Sequence, residues 1–404
     1  MSQLGRRRSV VGFAMVVAAL VVAACSSAPR GTGSSAGGGP DPIFVDQVTT
    51  SPKESGPSAL AAALGRRVDG LPVPVVEPDA FTAGGPPPDG IPPIDVPTFE
   101  RAGDIAYLAD NEPVLTIEIG GEARAYPVQV MIWHEIVNDT ISGVPVAVTY
   151  CPLCNSALAY DRRVGTRVLS FGTSGLLWKS ALVMYDRQTE SLWSHFTGEA
   201  VAGVLTHTEL ETFPVATSAW GAWRAAHPDA LVLSRQTGFD RDYGANPYPG
   251  YDDLTSRPFL FEGQVDGRFT AMTRVVGIER DGEAVAVALV ELRSRRVVAV
   301  DLASTALTVW WQPGTASALD RAQIANGDDV GSTGVFAATL DGRTLSFSSR
   351  GDDFVDAQTA TTWNRFGVAV SGPLTGARLE PVTHVDTFWF AWGAFRPDTA
   401  VAPN

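Results

Sequence analysis

The chain has 404 residues, a net charge of −14, and 45% hydrophobic against 18% charged residues, a balance that suits a globular protein and excludes a disordered one. The acidic surplus argues against a nucleic-acid partner, whose phosphates demand a basic surface. Positive charge is almost wholly arginine, lysine occurring only at Lys53 and Lys179.

Arg6, Arg7 and Arg8 form a positive head before an apolar run from Val10 to Ala24. At about 15 residues the run falls short of the roughly 20 that span a bilayer, and 1–24 reads as a cleaved signal peptide. Val22-Ala23-Ala24-Cys25 resembles the lipobox of bacterial lipoproteins. That resemblance implies a diacylated Cys25 as the mature N-terminus, anchoring the protein to the cell membrane on its extracytoplasmic face. Arg7-Arg8-Ser9-Val10-Val11 also resembles a twin-arginine signal, so export folded or unfolded stays open.

A Gly/Ser/Pro-rich tether and extended segment follow over 25–103, with a short helix predicted at 59–64 and regular structure from near Ile105. Strands are predicted at 114–119 and 123–128 around Gly120-Gly121, a hairpin signal. A short helix fits 128–137. Runs at 146–150, 157–161, 167–171 and 182–193 read as strands, and 216–226 as a short aromatic helix.

Overlaying the halves of the chain brings out an internal repeat. Gly121-Glu122-Ala123-Arg124-Ala125 matches Gly282-Glu283-Ala284-Val285-Ala286, and without a gap 152–158 falls on 313–319. Asp186-Arg187-Gln188-Thr189 matches Asp356-Ala357-Gln358-Thr359, and Trp220-Gly221-Ala222-Trp223 matches Trp389-Phe390-Ala391-Trp392. The expectation is an α+β, β-rich single domain over 104–404 built from two pseudo-symmetric internal repeats, 104–232 and 270–402, with a connector at 233–269.

With Cys25 lipidated, Cys151 and Cys154 remain, spaced C-x-x-C in an oxidising compartment. They are disulfide-bonded, metal-bound or redox-active. A redox C-P-x-C opens a helix whose N-terminus lowers the first thiol's pKa. Here the following residues read as a strand, so the pair resembles a metal-binding knuckle. Zinc or copper would need further ligands, and His134 and His195 are the candidates. The second repeat carries Gln312, Thr315, Arg295 and Arg365 at the four positions, consistent with one intact site. Glu135, beside His134, is a candidate catalytic base or orienting partner, against the plainer expectation of a solvated carboxylate. Ser174, Asp186, Asp242, Tyr243, Asn246 and Tyr248 are candidate pocket residues, although the recurrence of Asp186 as Asp356 favours a turn-holding role. The tryptophan pairs suit core packing better than sugar stacking.

Trp133-His134-Glu135-Ile136-Val137-Asn138-Asp139, Thr149-Tyr150-Cys151-Pro152-Leu153-Cys154-Asn155-Ser156-Ala157, Gly172-Thr173-Ser174-Gly175-Leu176-Leu177 and Asp242-Tyr243-Gly244-Ala245-Asn246-Pro247-Tyr248 together resemble an exported bacterial and archaeal family, domain of unknown function 3179. The resemblance runs from about residue 100 to the C-terminus and brings no activity to carry over. The leading expectation is a membrane-tethered protein holding zinc or copper through Cys151, Cys154 and His134 or His195, with redox or hydrolytic chemistry. The alternative is a non-catalytic module binding a small molecule or glycan between the repeats, with a structural Cys151–Cys154 disulfide.

Overall fold

Gly120 and Gly121 adopt φ values of 60° and 83°, the left-handed pair that a two-residue hairpin turn requires. They join Pro113–Ile119 to Glu122–Pro127, and the helix Val128–His134 follows without a break. That helix ends at Glu135, whose φ of 59° turns the chain sharply into the strand Ile136–Ile141. Val144–Cys151 and Ser156–Asp161 complete an antiparallel meander. The computed structural model describes residues 42–402; the signal peptide, Cys25 and residues 26–41 lie outside them.

The stretch predicted as one strand over 182–193 is two, Ala181–Asp186 and Leu192–Ser194, folded back on each other at a turn that Asp186 holds. Its carboxylate accepts from the Thr189 N–H at 2.6 Å, the Thr189 hydroxyl at 2.8 Å and the Trp193 indole N–H at 2.9 Å. Asp356 makes the same three bonds to Thr359 and Trp363 at the same distances. The aromatic stretch at 216–226 likewise divides, into the strand Ala216–Ala219 and the helix Trp220–Ala226.

From Arg274 the succession of hairpin, seven-residue helix and meander recurs: Arg274–Arg280, Glu283–Ala288, Leu289–Arg295, Val297–Leu302, Thr305–Gln312 and Ser332–Ala337. The strand Leu231–Leu233 joins Glu122–Pro127 in parallel, and Ala400–Val401 joins Glu283–Ala288 in parallel. Strand makes up 39% of the chain and helix 12%, which places the protein in an α+β or mostly β class. The ungapped overlay of 152–158 on 313–319 does not survive the strand register. Ser156 lies opposite Cys151 and Ser332 lies opposite Gln312, so 313–331 replaces the four residues 152–155.

Regular structure starts before Ile105. The helix Ala59–Ala63 is capped by the Ser58 hydroxyl, which accepts the Ala61 N–H at 2.9 Å. Thr98–Arg101 sits inside a six-stranded sheet between Ile43–Phe44 and Leu231–Leu233, with Phe99 fully buried. The paired tryptophans Trp220/Trp223, Trp310/Trp311 and Trp389/Trp392 are all buried, as core packing requires.

The first half also buries charge. Arg124 and Asp139 pair at 2.5 Å with almost no solvent exposure, and the Tyr126 hydroxyl donates to Asp139 at 2.6 Å. The register-equivalent positions in the second half are Val285, Val287 and Val300, all buried. The scaffold therefore tolerates either solution, but not half of one. Asp139→Val alone is expected to lower the unfolding free energy by about 3 kcal/mol, because it leaves the buried guanidinium only the partly exposed Glu122, at 2.6 Å, as a counter-charge. Arg124→Val/Tyr126→Phe/Asp139→Val removes the whole group and should lose less. Urea denaturation of the variants checks the order, and a triple variant weaker than Asp139→Val would contradict it.

Candidate dithiol site

The strand pairing that sets Cys151 opposite Ser156 closes a hairpin over 152–155, with Asn155 at a φ of 50°. No helix follows, so no helix N-terminus acts on the thiols. Both sulfurs belong to buried, unpaired cysteines. Cys154 Sγ lies 2.9 Å from Ser156 Oγ, and that hydroxyl lies 2.9 Å from His195 Nε2. His195 is fully buried and its Nδ1 has no partner. A serine hydroxyl therefore stands between the imidazole and the nearer sulfur.

Burial differentiates the two thiols. It pushes the Cys151 thiol up, but the Cys154 side chain and the backbone N–H groups of Cys154, Leu182 and Leu153 more than offset this and hold Cys151 below its ordinary value. Burial and then the adjacent Cys151 push Cys154 well above. The two adjacent thiols are thus pushed in opposite directions, Cys151 down and Cys154 up. Glu135 is not a solvated carboxylate: it is 6% exposed, and burial followed by the Cys151 charge raises its pKa well above the usual range. Burial thus favours the neutral form of this carboxyl group. Its left-handed backbone is shared by Arg296 at a φ of 68°, so the turn belongs to the fold and the carboxyl to the site.

His134 is engaged elsewhere. Its Nδ1 lies 2.7 Å from the Pro92 carbonyl and its Nε2 2.6 Å from the Tyr243 hydroxyl, so both nitrogens are occupied in tying the extended segment to the connector. Among the described residues no group of three or more His, Cys, Asp or Glu side chains is placed to hold a metal ion.

The pocket candidates separate. Ser174 bonds the Val183 carbonyl at 2.5 Å and the Leu176 N–H at 3.0 Å, shaping a bulge in its strand, and Asp186 holds its turn. Asp242 is exposed. Asn246 donates to the Arg321 carbonyl at 2.9 Å and accepts the Tyr248 N–H at 2.7 Å, pinning the connector to the long second-half loop. Tyr248 stands near Glu135 and Cys151, and burial first, then these acidic neighbours, raises its phenol pKa. Tyr251 donates to the Leu153 carbonyl, within the cysteine turn itself, at 2.9 Å. The connector is thus the cover of the dithiol. Ser156, Pro92 and Tyr251 carry this arrangement, and none of them stands out in the sequence.

The model of the family described as "Protein of unknown function (DUF3179)" matches residues 88–399. No curated protein and no solved structure matches the chain. Among the described residues no helix is long and apolar enough to cross a membrane.

Burial also depresses the histidines, His195 to about 3 and His134 to about 4, so the folded protein refuses protons that the unfolded chain takes up below about pH 6.5. Stability is full above that pH and is lost as pH falls toward the folded values. His195→Asn should flatten the fall between about pH 6.5 and 4 by roughly 3 kcal/mol, read from urea midpoints across that range. Tyr251→Phe loses its bond to the Leu153 carbonyl and should speed alkylation of Cys151 by iodoacetamide several-fold. An unchanged rate would mean that the connector does not control access.

Proposed function

We propose, on the premise that this chain belongs to the DUF3179 family of unknown function, that it is a dithiol–disulfide oxidoreductase tethered to the extracytoplasmic face of the cell membrane through a lipidated Cys25. The duplicated, pseudo-symmetric domain supplies the scaffold and its first repeat the chemistry. The observation that carries this reading is two free, buried cysteines at the closed end of one hairpin, with the Cys154 sulfur held by the Ser156 hydroxyl and through it by His195.

The Cys151 thiolate attacks one sulfur of a substrate disulfide, breaking the S–S bond, and the departing thiolate takes a proton from Glu135. Cys154 then attacks the Cys151 sulfur and returns its proton to Glu135. The second substrate thiolate leaves, and a Cys151–Cys154 disulfide remains. The substrate gains two electrons and the protein loses two, which an external dithiol donor restores. Ser156 and neutral His195 act as positioning residues that hold the Cys154 sulfur toward Cys151.

A second reading, zinc or copper bound by Cys151, Cys154 and His195, draws on the single hydroxyl that separates the imidazole from Cys154. Redox titration of the purified chain in dithiothreitol mixtures, followed by thiol counting and metal analysis, tests both. The dithiol reading expects one two-electron couple joining Cys151 to Cys154 and loss of reduction of an aromatic disulfide in Cys151→Ser. It also expects a trapped mixed disulfide in Cys154→Ser. Stoichiometric metal that disappears in Cys151→Ser, with no intramolecular disulfide on oxidation, would replace it with the second reading.

A further inference from the structure

A cavity of about 520 Å³ opens between the two halves, walled by residues 116–118 and 214–218 of the first and by 310–312 and 332–336 of the second. Its walls include none of Glu135, Cys151, Cys154, Ser156 or His195. Small-molecule sites commonly enclose about 300–1,000 Å³, so this is room for one.

The cavity holds the second half's counterpart of the dithiol. Gln312 ends its strand where Cys151 ends the other, and Ser332 takes the register place of Ser156. The Thr315 hydroxyl bonds the Ser332 hydroxyl as Cys154 bonds that of Ser156. Arg365 stands in the position of His195. The hydroxyl relay persists, with a guanidinium and an amide in place of an imidazole and a thiol.

Arg365 spends its N–H groups on neutral acceptors: Gln312 Oε1, Ser332 Oγ at 3.5 Å and the Pro313 carbonyl at 3.4 Å. Among the described residues no carboxylate lies within ion-pair distance of it. Arg378, also on the wall, is already paired with Glu118 at 3.0 Å. Burial lowers the Arg365 pKa, and Asp352 and Asp329 act on it only from beyond ion-pair distance, so a contacting anion would stabilise the cation. The surrounding wall is aromatic, with Trp310, Phe336, Phe354 and Phe366 beside the arginine. His384 adds an independent sign: it is 5% exposed, its Nδ1 meets the Val382 carbonyl at 2.9 Å, and its buried Nε2 has no partner. With Nδ1–H donating to a carbonyl, Nε2 is left a vacant acceptor on a residue that lines the cavity.

We propose that this cavity is a binding site for a small aromatic carboxylate carrying a hydroxyl or amino group. The carboxylate pairs with Arg365, the ring packs among the aromatic side chains, and the O–H or N–H donates to His384. This site is separate from the proposed dithiol chemistry and stands whether or not that reading holds.

Calorimetric titration of the full-length chain with para-hydroxyphenylacetate, phenylacetate and phenylacetamide tests it. The hydroxy acid should bind at one site per chain and the neutral amide about tenfold or more weakly, the worth of a charged hydrogen bond. Arg365→Gln should erase the preference for acid over amide, a comparison made within one variant and so independent of its overall stability. Arg365→Lys should keep part of it, and His384→Phe should erase only the preference for the hydroxylated acid. Cys151→Ser should bind as the unaltered protein does. Equal affinity for acid and amide, no binding at millimolar concentration, or an acid preference surviving in Arg365→Gln would each overturn the assignment.

Discussion

Withdrawing two sulfurs from water at the closed end of a hairpin is the constraint from which the first half's site follows. In a low-dielectric interior every ionisable neighbour is driven toward its neutral form. Burial raises the pKa of Glu135 and of Cys154 and lowers that of His195 to about 3. Cys151 alone is eased toward charge, because the hairpin turn aims N–H groups and the Cys154 side chain at it. The downward pull on the Cys151 pKa therefore comes from backbone N–H groups and the Cys154 side chain. Concealment also demands a cover, and the connector supplies one, fastened to the turn by Tyr251 and to the second half by Asn246.

The two successions of strands share their frame and differ in what they enclose. Asp186 and Asp356 bind their turns and indoles through the same bonds, so that feature belongs to the architecture. The Arg124–Tyr126–Asp139 group and the dithiol occur only in the first half. In the second, valines fill one place and a guanidinium fills the other. Gln312 and Arg365 keep polar contact across the same strand end, with a cavity before them instead of a covering connector. Side-chain replacement at register positions, together with the longer loop 313–331 in place of 152–155, separates the closed thiol site from the open polar recess.

Much of this could be read from the sequence where a local pattern and its structural cause coincide. Gly120-Gly121 announced its hairpin, and the strand-like run after Cys154 placed the cysteines in a strand connection. The shared Asp-x-x-Thr signalled a turn anchor. Long-range partners were not legible. His134 is taken by Pro92, from a segment that reads as tether, and by Tyr243, more than a hundred residues away. Ser156 looks like any small residue opening a strand, and only the register makes it a relay. The overlay of 313–319 on 152–158 failed because a Ser-Ala-Leu triplet recurs inside the longer loop, a local likeness without the pairing that defines equivalence. Glu135 follows a polar histidine and so reads as exposed, yet a left-handed turn directs it inward.

Distance favours sulfur chemistry over a shared ion at this site. Zinc bonds to sulfur at about 2.3 Å and to nitrogen at about 2.0–2.1 Å, which brings an imidazole nitrogen and a thiolate to within roughly 3.5 Å of each other. Here the Ser156 hydroxyl occupies the space between them, satisfied on both sides at 2.9 Å. An ion would have to displace that hydroxyl from both of its partners before it could reach His195 Nε2 and the Cys154 sulfur together. A disulfide asks for far less. Cys154 Sγ already faces the Cys151 carbonyl at 3.9 Å, and a bond between two adjacent buried sulfurs puts no new charge into the interior. Oxidation therefore leaves the buried hairpin uncharged and the relay undisturbed. In a site where every neighbour has been driven neutral, that is the change the surroundings resist least.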